Sequence, residues 1–357
     1  MSGTGMSGTG GPPGGGGTGL PGGGGTGGLP GGGGSGGSAG GTRLHVVSGK
    51  GGTGKTTVAA ALALALAERG RRTLLVEVEG RQGIAQLFET EALPYEERRI
   101  AIGPGGGEVF ALAIDAEQAL LDYLQMFYKL GGAGRALRRI GAIDFVTTVA
   151  PGLRDVLLTG KACEAVRRRG PDGGERAYDA VVMDAPPTGR IARFLGVNNE
   201  VAGLARVGPV HHQAQAVMRV LRSAETAVHL VTLLEEMPVQ ETADGVAELR
   251  AAGLPVGAVV VNMVRPAHHL PAVPEGQAGE RAVARALAAA GLPDAAALAA
   301  PLLAQGREHA QRLALEKAQR AELNGLRLPV HELPLLDEGA DLAGLYRLAR
   351  RLRELAW

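Results

Sequence analysis

The sequence predicts an α/β protein built on a doubly wound, mostly parallel sheet with a helical region added to it. Three observations carry that expectation. Short runs rich in β-branched and aliphatic residues recur along the chain, separated by longer stretches of helical periodicity. Several of the runs are uninterrupted rather than alternating, as strands covered on both faces are. A glycine-rich turn follows the first run directly and opens a helical pattern, the arrangement of a strand–helix unit in a parallel sheet.

The first 41 residues stand apart, with 24 of the 58 glycines, no charged residue and no aromatic. Met-Ser-Gly-Thr-Gly occurs at 1–5 and 6–10, and Leu-Pro-Gly-Gly-Gly-Gly at 20–25 and 29–34. Such a segment has little to bury and much backbone entropy to lose, so residues 1–42 are expected to form a disordered tail. The tail lacks the basic and apolar regions of a secretory signal and the Met-Gly start of a myristoylation site. Residues 43–357 are long enough to bury one large core.

Within this body the expected strands are 44–48, 73–78, 109–114, 180–184, 227–233, 257–261 and 328–333. Residues 58–67 read as a buried helix. Residues 115–177 and 190–223 carry more helical pattern than single crossovers need, and are expected to form a helical subdomain. The last segment, 341–357, reads as an amphipathic helix. Leu342, Leu345, Leu348, Leu352 and Leu355 follow helical spacing there, with Arg347, Arg350, Arg351 and Arg353 elsewhere on its surface.

Composition removes several function classes. A net charge of +1 gives no global electrostatic case for nucleic acid. A single cysteine, Cys163, excludes an internal disulfide framework and a thiolate metal cluster, and is expected to be a buried helical residue. No apolar run reaches the ~18–20 residues of a membrane span. His211-His212 and His268-His269 lack the i, i+4 spacing of a helical metal pair and read as surface residues.

The chain has five lysines, and two of them sit in one loop. Gly49-Lys50-Gly51-Gly52-Thr53-Gly54-Lys55-Thr56, followed by Thr57, fits G-x-x-x-x-G-K-S/T between a strand and a helix. The glycines let successive backbone N–H groups turn inward onto phosphate oxygens, and the helix adds its positive N-terminal end. In this motif Lys55 reaches the β- and γ-phosphates of ATP and the Thr56 hydroxyl ligates Mg²⁺. A carboxylate at the C-terminal edge of a neighbouring strand, Asp184, can hold the same ion through its water shell.

The extra lysine, Lys50, makes the loop similar to the deviant Walker A loop of SIMIBI-class P-loop ATPases: ParA and MinD, the nitrogenase iron protein and the ArsA group. In those families this lysine reaches the phosphates of a dimer partner. Residues 184–195, beginning Asp184-Ala185-Pro186-Pro187-Thr188-Gly189-Arg190, resemble the D-T-A-P-T-G-H second switch of the ArsA and tail-anchored-protein-targeting (guided entry) ATPases. Residues 230–242 resemble that group's next strand and helix. Val260-Val261-Asn262 looks like its adenine-contacting strand end, and Leu333-Pro334-Leu335-Leu336-Asp337 like its nucleotide-side loop. The resemblance spans the whole body. It implies a single-domain bacterial member of this anion-transporting-ATPase-like group. Its nucleotide contacts would run from Gly49 to Thr57, with Asn262 and Pro334, and Pro187, Thr188 and Gly189 would form the second switch.

Three departures modify what the resemblance implies. The group's first switch reads D-P-A-H, and its aspartate orients the attacking water. Glu79 stands there instead, one methylene longer, and a misplacement of ~1 Å can slow a reaction about 10²-fold. The targeting members share a zinc through C-x-x-C, which is absent. Arsenite sites use several cysteines, and one cannot supply them.

The expected function is that of a cytoplasmic, Mg-dependent ATPase, with a peripheral membrane association as a further expectation. ATP would close a dimer, homomeric or formed with a related chain, across Lys50 and both switches. Hydrolysis assisted by Lys50, Glu79 and Asp184 would reopen it. The motion would pass to the helical region, and so to a membrane-protein client or membrane partner. Residues 119–128 and Met218 are the candidate contacts for such a client, although ordinary packing of helices on the sheet accounts for them better. Two other readings stay open: a ParA/MinD-like positioning ATPase using the basic C-terminal helix, and a weakly active ATP-binding subunit of a heterodimer.

Overall fold

A computed structural model describes residues 41–128, 151–170, 173–204, 209–266, 273–337 and 339–354. Residues 1–40 of the glycine-rich tail, and with them its expected disorder, lie outside these residues, as do residues 129–150 of the first helical block, His268, His269 and Leu355.

Eight strands are present among the described residues: β1 Leu44–Gly49, β2 Arg72–Glu77, β3 Arg98–Ile102, β4 Glu108–Ala113, β5 Ala180–Asp184, β6 Thr226–Thr232, β7 Val256–Val264 and β8 Val330–Pro334. They form one sheet in the order β3-β4-β2-β5-β1-β6-β7-β8. All neighbours are parallel except β3, which runs antiparallel to β4. Seven strands lie where the apolar runs place them, within a few residues. β3 corrects the sequence reading, which has no strand there. It is an edge strand, exposed at Arg98 and Arg99, so it lacks the apolar signature of the others.

The helices are α1 Lys55–Leu66, α2 Gly83–Leu87, α3 Ala116–Tyr128, α4 Pro151–Arg167, α5 Thr188–Leu204, α6 Pro209–Leu221, α7 Glu236–Ala251, α8 Gly276–Ala289, α9 Ala295–Gly325 and α10 Leu342–Glu354. Alternate residues of the central strands feed two cores. Val46, Leu74, Val181 and Leu230 point into the core that also holds residues of α4, α5, α6 and α7. Val47, Leu75, Val182 and Val231 point into the core that holds α1 and α10. This double coverage is why the central strands read as continuous apolar runs.

Helix α1 is buried from Val58 to Ala65, which explains its uniform apolarity. Leu345, Leu348, Ala349 and Leu352 of α10 pack in the same cluster. Arg353 of α10 ion-pairs with Glu68, and the Tyr346 hydroxyl donates to the Ile102 carbonyl of β3 at 2.6 Å. The apolar face of α10 is therefore part of the core, and only its arginine-bearing surface remains for a membrane. Cys163 is buried on α4, and burial pushes its thiol up to about 12. Met218 is also core, on α6. Not foreseen is the pair α8 and α9 between β7 and β8, where Arg320 holds Glu332 of β8 with bonds of 2.7 and 3.3 Å.

Two buried histidines stack between β1 and β6, with ring centroids 5.3 Å apart. The Ala258 N–H donates to His229 Nδ1 at 3.2 Å, which leaves the His229 Nε2 proton for His45 Nδ1 at 3.1 Å. Burial keeps both rings neutral, pushing His45 down to about 4 and His229 well below the ordinary value.

The chain leaves β1 towards β2 on one side, while β6, β7 and β8 extend the sheet on the other. The strand order therefore reverses direction at β1. In open α/β sheets ligands bind outside the C-terminal ends of the strands at such a point.

Candidate active site

Two glycines shape the loop that leaves β1. A Cβ at Gly49 would lie 2.2 Å from the Val231 carbonyl of β6, so a side chain has no room there. Gly54 caps α1 in the left-handed region, with φ +84°, and its Cβ would come within 2.4 Å of the Asn262 amide. Between them the Lys50 carbonyl gathers the loop. It accepts from the Thr53 N–H at 3.3 Å, the Thr53 hydroxyl at 2.9 Å and the Lys55 ammonium at 3.5 Å. Gly51 and Gly52 are exposed, and α1 begins at Lys55. The unpaired N–H groups of its first turn and its positive dipole end thus adjoin the loop.

The structure brings Lys55, Thr56, Glu79 and Asp184 together around a void of about 50 Å³, which Glu77 and Arg81 also line. The Thr56 hydroxyl donates to Asp184 Oδ2 at 2.7 Å, while Asp184 Oδ1 is buried with no hydrogen-bond partner. Burial raises the Asp184 carboxyl to about 6, against the opposing pull of the Thr56 hydroxyl and the Lys55 charge. Burial also lowers Lys55, and the nearby charges of Asp184 and Glu79 work in the other direction. Among the described residues no group of three His, Cys, Asp or Glu side chains is placed to hold a metal ion; the oxygen donors this void offers a hard cation are the Thr56 hydroxyl and the unpartnered Asp184 Oδ1.

The remaining predicted residues surround this centre. Lys50 turns to α7, where its ammonium ion-pairs with Glu241. Asn262, buried in β7, gives its amide to the Thr53 carbonyl at 2.9 Å. Pro334 is exposed at the end of β8, in register with Val264. Thr57 is half-buried in the first turn of α1. Pro187 precedes α5, and Thr188 and Gly189 open it, so part of the expected turn is helical. Thr188 is buried, and its hydroxyl lacks a hydrogen-bond partner. Glu79 lies 3.6 Å from Arg81 and 3.9 Å from Arg190, at the limit of an ion pair.

Two functional acids escape the sequence reading. Glu77 is 2% exposed, in register with Asp184, and accepts from the Gln82 N–H at 2.5 Å and the Ile84 N–H at 3.2 Å. It thereby fixes the chain that carries Glu79 into α2. An acid closing a strand directly after Leu74-Leu75-Val76 is the signal that could have found it. Glu241 offers no such signal, because its pairing with Lys50 spans 191 residues.

A larger cavity lies elsewhere among the described residues. About 580 Å³ lies among α3, α4, α5 and α6, lined by residues such as Asp122, Lys161, Asn198 and Val217, none of them from the loop. The titratable groups and the loop converge instead on the smaller void.

Residues 42–223 match the family described as anion-transporting ATPase. The chain is 54% identical over 320 residues to ATPase BagA of Mycobacterium tuberculosis, covering 88% of this chain and 93% of that protein. It is 27% identical over 236 residues to the arsenical pump-driving ATPase of Escherichia coli, covering 61% of this chain and 39% of that protein. It is 28% identical over 178 residues to ATPase GET3 of Kluyveromyces lactis, covering 46% of this chain and 50% of that protein.

Proposed function

Since the chain belongs to the anion-transporting ATPase family, we propose that it binds and hydrolyses ATP with Mg²⁺ and works as an ATP-driven dimer switch. The observation that carries this reading is the deviant phosphate loop joined to Asp184 through Thr56. The loop backbone and Lys55 bind the phosphates. Asn262 and Pro334 flank the adenine, with Asn262 Oδ1 as an acceptor for its amino group.

The unpartnered Asp184 Oδ1 and the acid-rich void fit a magnesium ion, which Thr56 and Asp184 would hold, Asp184 through water. When bound, the ion neutralises charge on the phosphoryl oxygens. Glu79 orients the attacking water, set by Glu77 and the turn into α2. Thr188 offers its free hydroxyl to the γ-phosphate, and the switch from Pro187 to Gly189 passes that contact to α5. Lys50 leaves Glu241 and reaches a partner's phosphates, so closure requires a dimer. Helices α3 to α6 form the helical subdomain that carries the motion to a client or membrane partner in the cytoplasm. The longer Glu79 favours slow turnover, which keeps a heterodimer with a more active related chain as a second reading.

Mg-ATP turnover and ATP affinity of the full chain test the proposal. Wild type turns over ATP. Lys55→Ala loses nucleotide binding, and unchanged affinity would rule the loop out. Glu79→Gln binds ATP but turns over about 10²-fold more slowly or worse, and a wild-type rate would sink its assignment.

A further inference from the structure

Beside the catalytic void lies a second one of about 100 Å³. Three guanidinium-bearing residues line it: Arg81 after β2, Arg154 in the first turn of α4 and Arg190 in the first turn of α5. Glu79 and Asp155 are the acids on its wall, and Leu158, Pro186 and Phe194 add apolar lining. It shares Glu79 and Arg81 with the void against the loop. One acid and one arginine thus line both spaces. The volume holds about three waters, or one tetrahedral oxyanion in their place.

The arginines retain donors for such an ion. At 3.6 and 3.9 Å from Glu79, Arg81 and Arg190 are ion-paired but too far for good hydrogen bonds. Arg154 is exposed on α4. Burial raises the Asp155 carboxyl from its ordinary value, with Arg190 and Arg154 opposing the shift. Planar guanidinium groups bind phosphate oxygens in pairs, and they keep their charge at all working pH values.

We propose that this void is a second oxyanion site, which receives inorganic phosphate as it leaves the loop after hydrolysis. The source of the phosphate rests on the ATPase reading above; affinity for the ion rests on the arginines alone. Arg81 and Glu79 form the wall it must pass, and an arriving phosphate replaces Glu79 as the partner of Arg81 and Arg190. Because Arg154 and Asp155 belong to α4, occupancy of the site is sensed by a helix that also walls the large cavity.

Two measurements on the full chain decide it. In the Lys55→Ala protein, where the loop's own grip is removed, inorganic phosphate is titrated by calorimetry. Binding is expected, weakened about tenfold or more by adding Arg154→Gln, as loss of a charge-assisted contact predicts, and partly kept by Arg154→Lys. In the protein with an intact loop, Arg154→Gln is expected to raise the inhibition constant of phosphate for ATP turnover by a similar factor, with the KM for ATP unchanged. Phosphate binding indifferent to Arg154 overturns the site. Arg154-dependent binding in a wild type that does not hydrolyse ATP overturns both the product route and the ATPase reading, and leaves a site for free oxyanion. Normal turnover with Arg154-independent inhibition overturns the site and leaves the ATPase reading standing.

Discussion

Asp184 carries a buried carboxylate oxygen that no donor among the described residues satisfies. Its carboxyl, raised by burial to about 6, lies above the ordinary value of 3.8. Between these values the folded chain binds more protons than the unfolded one, so this carboxyl favours folding as pH falls through the window and opposes it at neutral pH. Asp184→Asn is therefore expected to raise the melting temperature at pH 7 without nucleotide, from a gain on the order of 2–3 kcal/mol, while abolishing Mg-dependent turnover. An unchanged or lower melting temperature would refute the burial account. In wild type, kcat/KM for Mg-ATP, which reports the free enzyme, should fall as pH drops through about 6. Lys50, Lys55, Thr56 and Asp184 were legible as a candidate set because their motifs are written in local spacing. Glu77 and Glu241 were not, since each joins that set only through a neighbour that folding supplies.

At the scale of elements, α7 touches both halves of the site. Glu241 holds Lys50, and Gly245 lies so close to α5 that a Cβ would fall 2.3 Å from Thr188 Cγ2. Gly245→Ala must push the switch threonine or part the two helices, at about 1–3 kcal/mol. The expected result is a lower melting temperature and a turnover reduced more than ATP affinity. Wild-type values for both would show that α7 and the switch are not in register. The apolar runs revealed the central strands because each is buried on both faces. β3 escaped because an edge strand shows water one side, and its Arg98 and Arg99 carry no such run. Helix α9 escaped for a different reason: its buried face includes Glu316 and Gln319, with Glu316 ion-paired to Arg312 at 3.8 Å and Arg320 at 3.6 Å, so no clean apolar stripe marks it.

At the scale of the molecule, the Lys50–Glu241 pair bears on assembly. Its side chains are 26% and 39% exposed, and pairs this wet contribute about 0–1 kcal/mol. So weak a tether is readily exchanged for phosphate oxygens. With Mg-ATP, the slow Glu79→Gln protein is expected to sediment as a dimer, and a chain that also carries Lys50→Ala as a monomer. A mass that ignores both nucleotide and Lys50 would refute the switch. The doubly wound architecture was readable from strand–helix alternation, whereas the reversal of strand order at β1, which places the crevice, emerges only once the pairing is known.

The stacked histidines have a consequence for observing that crevice. His45 lies near the start of β1, and the same strand ends at Gly49. His229 lies on β6, whose Val231 carbonyl presses on Gly49. The proton between their rings crosses 3.1 Å in a dry core, and its magnetic resonance frequency depends steeply on that separation. The chain thus carries its own gauge of how far one strand slides against the next. It reads from the end of the sheet opposite the phosphates, with no label attached.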